Sequence, residues 1–150
     1  MPPYEQLEVG AVYRSRAGRT VLEADNVWFT LLTMNTNPIH FDTEYAAGTE
    51  WERPLVDSTF TLALVTGLSV EAVSEHGVNL GWHEVRLPAP VFAGDTIRAE
   101  TEVLEKRGSR SRPGRGIVTV RTRGLNQHDE VVIEFERSIM LPVADGAARD

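Results

Sequence analysis

Between Ser58 and Val70 the chain carries no charged residue, and the run Leu62-Ala63-Leu64-Val65 has none of the alternation of a strand. A helix that is apolar or small all round is buried all round, so this stretch predicts a central helix from about Asp57 to Glu75. Asp57 or Ser58 suits its N-cap, His76 its last turn and Gly77 its C′ position. The downstream half reads differently. In residues 96–104, Ile97, Ala99, Thr101 and Val103 alternate with Arg98, Glu100 and Glu102. In residues 131–141, Val131, Ile133, Phe135, Ile139 and Leu141 share one parity, with Arg137 the exception. That period of two marks strands with one face buried. Residues 117–125, rich in Val and Thr, form a third strand. Residues 85–87 form a fourth, stopped by Pro88 and Pro90. Residues 26–34 form a shorter helix, with Val27, Leu31 and Met34 at helical spacing. The packing this order allows is α+β: a strongly curved antiparallel sheet wrapped around one long helix.

The chain has 150 residues, enough for one domain over residues 1–150, with loose ends at about 1–5 and 144–150. Lys and Arg number 15 against 22 Asp and Glu, a net charge of −7, which argues against a nucleic-acid binder. Cysteine is absent, so disulfides, thiolate metal sites and a cysteine nucleophile are excluded. The opening Met1-Pro2-Pro3-Tyr4-Glu5 lacks the basic and apolar regions of a signal peptide, and no apolar run reaches the roughly 18 residues of a membrane span. A cytoplasmic protein without membrane contact is expected.

Chemistry concentrates in Met34-Asn35-Thr36-Asn37-Pro38-Ile39-His40-Phe41-Asp42. Pro38 holds Asn37 extended and fixes the loop. His40 can exchange protons near neutral pH, and Asp42 can orient it. The same two residues equally suit capping a short helix over residues 43–47.

The string Asn35-x-Asn37-Pro38-Ile39-His40-x-Asp42, followed by Tyr45-Ala46, Arg53-Pro54-Leu55-Val56 and Phe92-Ala93-Gly94-Asp95-Thr96, resembles the MaoC-like hydratases, R-specific enoyl-CoA hydratases of the hotdog fold. The resemblance covers roughly residues 7–141. It implies a homodimer or a dimer of dimers, with continuous sheets and a site at the interface. It also implies a coenzyme A thioester as substrate and no metal or redox cofactor. The family pattern has an Asp five residues before the His; here that position is Asn35, whose amide cannot take a proton. The family's His-Gly at the start of the central helix is replaced by Asp57-Ser58. Three roles follow from the resemblance. His40 is the acid/base, Asn35 orients water, and Asp57 is a carboxylate relocated across the site, with a pKa that burial should raise. The backbone amides of Ser58 and Thr59 would hold the thioester oxygen, with Thr66, Asn37 and Asp42 as further substrate contacts. Asp57 serves equally as a plain N-cap.

Residues 106–116 place Lys106, Arg107, Arg110, Arg112 and Arg115 on one inter-strand connection of an acidic chain. They suit the phosphates of coenzyme A or a substrate carboxylate, and equally a solvated hairpin. The extended string Trp28 to Pro38 with Asp57-Ser58-Thr59-Phe60 is similar to mesaconyl- and itaconyl-CoA hydratases. That similarity implies a short, branched dicarboxylic acyl group with Arg53, Arg86 or the arginine hairpin as its cationic partner. Trp28, Phe29, Trp51 and Trp82 are candidates to line the acyl pocket, or plain core. Two other readings remain: a hotdog acyl-CoA thioesterase using Asp57, and a non-catalytic binder of acyl-CoA or acyl-carrier protein.

Overall fold

The computed structural model describes residues 2–144. The sheet runs in the order β1 (Val12–Arg14), β4 (Thr96–Gly108), β5 (Arg115–Leu125), β6 (Val131–Pro142), β3 (Val78–Arg86), and β2 (Arg19–Thr20) also pairs with β4. All pairings are antiparallel. The expected parity holds for Ile97, Ala99, Thr101 and Val103 of β4 and for Ile133, Phe135, Ile139 and Leu141 of β6, but Val131 is only half-buried, and Val132 and Met140 of the other parity are buried too. Arg137 obeys the parity rather than breaking it, and only 1% of it is exposed. The outer face carries cross-strand charge pairs such as Arg14–Glu100 and Arg123–Glu134, both at 2.6 Å.

The helices are α1 (Glu23–Thr33), α2 (Thr43–Ala47), α3 (Ser58–Leu68) and α4 (Val70–Val73). The wrapped-helix architecture matches expectation, but the central helix does not run unbroken to Glu75. It breaks at Ser69, whose hydroxyl donates to Thr66 O at 2.7 Å and accepts from the buried Arg137 guanidinium at 2.7 Å. Nor is it buried on every side. Its inward stripe is Thr61, Val65 and Ser69, while Ala63, Gly67 and Val70 lie open, because one chain's sheet covers one face. His76 lies beyond α4. Gly77 is required by close approach, not by a left-handed cap: a Cβ there would stand 2.7 Å from Ile139 Cγ2.

Two further expectations change. The strand expected at residues 85–87 begins at Val78. Register shifts at Asn79/Gly81 and His83/Arg86, with Glu84 at φ 52°, break the alternation that would have revealed it. On α1 the buried residues are Asn26 and Thr30, while Leu31 and Met34 are exposed. Tyr4 and Glu5, expected loose, belong to a 3-10 turn that seats the Tyr4 ring beside Lys106. Met1 and the tail from 145 lie outside the described residues; Ala144 donates its N–H to Glu5 at 2.7 Å. Among the described residues no helix is long and apolar enough to cross a membrane.

Candidate functional site at the mouth of the central helix

The site is assembled around Asn26, a buried amide on α1 that the sequence reading did not single out. Its Nδ2 donates to His40 O at 2.6 Å and Leu55 O at 3.0 Å, and its Oδ1 accepts from Asp57 N–H at 2.9 Å. One side chain therefore ties the histidine loop, the segment before α3 and the helix mouth together. The available signal was the polar pair Asn26 and Thr30, four apart on one face of a helix.

Asn37 caps the 3-10 turn Pro38–His40, accepting from Ile39 N–H at 3.3 Å. His40 ends that turn, half-buried. Its Nδ1 lies 2.7 Å from Leu55 O, and a carbonyl can only accept, so Nδ1 carries the proton. That bond fixes the tautomer and leaves Nε2 as the nitrogen for proton transfer. Asp42 does not orient His40. It caps α2, accepting from Tyr45 N–H at 3.0 Å.

Asp57 is 3% exposed. Its Oδ1 accepts from Thr59 N–H (2.7 Å), Thr59 Oγ1 (2.5 Å) and Phe60 N–H (3.3 Å), and its Oδ2 accepts from Asn35 Nδ2 at 2.5 Å. Burial pushes this carboxyl up, but hydrogen bonds from the Thr59 hydroxyl, Asn35 and the Thr59 and Phe60 amides outweigh it. The net shift is downward, opposite to the rise expected from burial, and Asp57 is anionic at neutral pH. Asn35 is locked too, since its Oδ1 accepts from Asn37 N–H at 3.0 Å.

The donor set at the helix mouth also differs from expectation. Thr59 N–H and Phe60 N–H are taken by Asp57 Oδ1, and Thr61 N–H by Asp57 O. Among the described residues Ser58 N–H makes no hydrogen bond, so Ser58, not Thr59, offers its amide at the positive end of the helix. Ser58 and Thr61 border an apolar cleft of about 220 Å³ with Trp51, Leu55, Leu87 and Pro90. Asn35 borders a second hollow of about 400 Å³ with Leu31, Met34 and Phe41.

Other expected site residues lie elsewhere. Thr66 is two turns along α3, accepting from Trp82 Nε1 at 3.4 Å. Phe29 packs edge-on against Phe60, and Trp28 is exposed. Arg53 stacks over Phe92 at 3.8 Å. Arg86 pairs with Glu84 at 2.9 Å, next to Leu87 of the cleft. Arg107 stands about 33 Å of strand along β4 from Ile97, with Arg110, Arg112 and Arg115 on the turn into β5 at that same end.

Residues 5–124 match the family described as MaoC like domain. Mesaconyl-CoA hydratase of Cereibacter sphaeroides is 34% identical over 97% of this chain and 42% of its own length. The (R)-specific enoyl-CoA hydratase of Aeromonas caviae is 30% identical over 92% of this chain and 98% of its own. A Mycobacterium tuberculosis protein described as a double hotdog fold superposes with a TM-score of 0.87 at 23% identity, covering 99% of this chain and 46% of that one. This chain thus spans about two-fifths of the length of the mesaconyl-CoA hydratase it resembles. The helix-wrapped sheet is the hotdog fold, and the chain belongs to the MaoC-like family.

Proposed function

We propose that the chain is a hydro-lyase that reversibly adds water across the α,β double bond of a short enoyl-CoA. Within that class we propose a branched dicarboxylic acyl group of the mesaconyl type. The names of the relatives support the reaction class, and the mesaconyl-CoA hydratase supports the acyl type. The observation that carries the reading is the His40 Nδ1–H bond to Leu55 O beside the mouth of α3. It leaves Nε2 as the ring nitrogen that can exchange a proton, and the acceptor Leu55 lies three residues before Ser58, whose amide can hold an oxyanion.

In the forward direction His40 Nε2 removes a proton from water as the water oxygen bonds the β-carbon. The electron pair of the double bond moves towards the thioester, and its oxygen gains charge opposite Ser58 N–H. His40 then returns the proton to the α-carbon. Asn35 keeps one amide hydrogen beyond its bond to Asp57, and that hydrogen holds the water. Asp57, already anionic and tethered, orients Asn35 rather than moving protons itself. No metal or redox cofactor is needed.

We further propose a homodimer joined through β3, one of the two end strands of the sheet. Val78, Leu80, Trp82, Val85 and Leu87 on or beside it are exposed, an apolar edge of the kind that pairs with another strand.

Loss of enoyl-thioester absorbance tests the reading, using crotonyl-CoA and mesaconyl-CoA with wild type and His40→Ala. Turnover that falls at least about 100-fold in the variant is expected. Equal rates in the two proteins, or no turnover by wild type, overturn it; hydrolysis of the thioester instead points to a thioesterase.

A further inference from the structure

Asp57 divides its carboxylate between two elements. Its Oδ1 is taken by α3, and its Oδ2 by the histidine loop through Asn35. The aspartate does not fix that division itself, because the last torsion of a carboxylate is broad. Nor does Asn26, which holds the backbone N–H of Asp57 and not its carboxylate. The division comes from α3. Thr59 puts two donors on one oxygen, its N–H at 2.7 Å and its hydroxyl at 2.5 Å. The Phe60 amide stands farther off, at 3.3 Å.

The Thr59 hydroxyl also departs from the habit of the other helical threonines. Thr30, Thr33 and Thr61 donate to the backbone carbonyls of Val27, Phe29 and Asp57, the common local bond of a helical threonine. Thr59 gives its hydrogen to an ionised oxygen instead, a shorter and stronger bond. Burial raises the Asp57 pKa, and the Thr59 hydroxyl is the first of the hydrogen bonds that bring it below the ordinary value. Among the described residues the groups bonded to the Asp57 side chain are all neutral, and the titratable group on the adjoining loop is His40.

Resting on the hydration reading, we infer that Thr59 is a positioning residue for the reacting water. Its hydroxyl clamps Oδ1, which leaves Oδ2 for Asn35. Asn35 is held at its other end by Asn37 N–H, so its second amide hydrogen has one direction in which to hold the water. Thr59 touches no substrate; it acts through Asp57 and Asn35.

Thr59→Val tests this, because valine keeps the branched shape and the backbone N–H and removes the hydroxyl. The kcat for crotonyl-CoA should fall roughly tenfold, with KM within about twofold of wild type. Thr59→Ser restores the hydroxyl and should recover the wild-type kcat. In an Asn35→Ala background Thr59→Val should cost nothing further, because the link through which it acts is already cut. Wild-type kcat in Thr59→Val, a KM that rises while kcat holds, no recovery in Thr59→Ser, or losses that multiply with Asn35→Ala overturn the inference. If wild type turns over no thioester, the hydration reading fails separately, and NMR then decides the clamp. The side-chain amide signals of Asn35, followed against pH, should move at a higher pH in Thr59→Val than in wild type, since Asp57 then takes a proton more readily. Identical titrations in the two proteins overturn the clamp.

Discussion

Asn35 and Asp57 form one unit, an amide donating to a carboxylate at 2.5 Å. An acid at both positions would set two negative charges in contact, so the identities of the two residues are coupled. Asn35→Asp is expected to destabilise the fold. The second carboxyl to ionise has a folded pKa raised above its unfolded value, so the loss should be larger at pH 8 than at pH 5. Asn35→Asp/Asp57→Asn restores one donor and one acceptor and should recover most of that loss; chemical denaturation at the two pH values checks both. Asp57 itself has a lowered pKa. Its stabilisation is present above the ordinary aspartate value and is lost as pH falls through its folded value. The stability gap between wild type and Asp57→Asn should therefore be about 1–2 kcal/mol near neutrality and close below about pH 4. Asn26→Ala leaves His40 O and Asp57 N–H without their partner, while Leu55 O keeps its bond from His40 Nδ1. It is expected to cost about 2–4 kcal/mol in a urea titration and to abolish activity. Arg137 is a third case. Burial lowers its pKa to about 10, and its side-chain partners among the described residues are the Ser69 and Ser74 hydroxyls. Arg137→Met should raise the thermal midpoint.

At the scale of elements, β4 and β5 were legible because each buries one face in alternation, and β6 because its middle does; its ends bury neighbouring residues on both parities. β3 was not legible over its full length, since two register shifts and its position at the open edge remove the pattern. The central helix was visible by its lack of charge, but not its break, because Ser69 answers a buried arginine from a strand distant in sequence. His40, Asn35 and Asp57 were legible as a group through the Asn-Pro-Ile-His string. Their individual roles were legible only in part: capping of α2 by Asp42 was one of two open readings, whereas the anionic state of Asp57 and the organising role of Asn26 were not visible. Each of those outcomes depends on which donors meet in space. The seat of α3 on the sheet is equally specific. A Cβ on Gly124 would lie 2.6 Å from Val65 Cγ2 and 2.8 Å from Ile133 Cγ2. Gly124→Ala should therefore cost about 1–3 kcal/mol by forcing α3 off β5, measurable as a shift in denaturation midpoint.

For the whole molecule, the proposed dimer would cover the open face of α3 and the apolar β3 edge. Leu80→Lys/Trp82→Arg should convert a dimer to a monomer in sedimentation, with activity lost alongside. The central claim is that water is added to carbon, not to the thioester. The most direct measurement is turnover of crotonyl-CoA in heavy-oxygen water, followed by mass spectrometry. The account predicts the label in the hydroxyl of an intact hydroxyacyl-CoA, and its disappearance with His40→Ala. Label in a released carboxylate, with free coenzyme A, would contradict it.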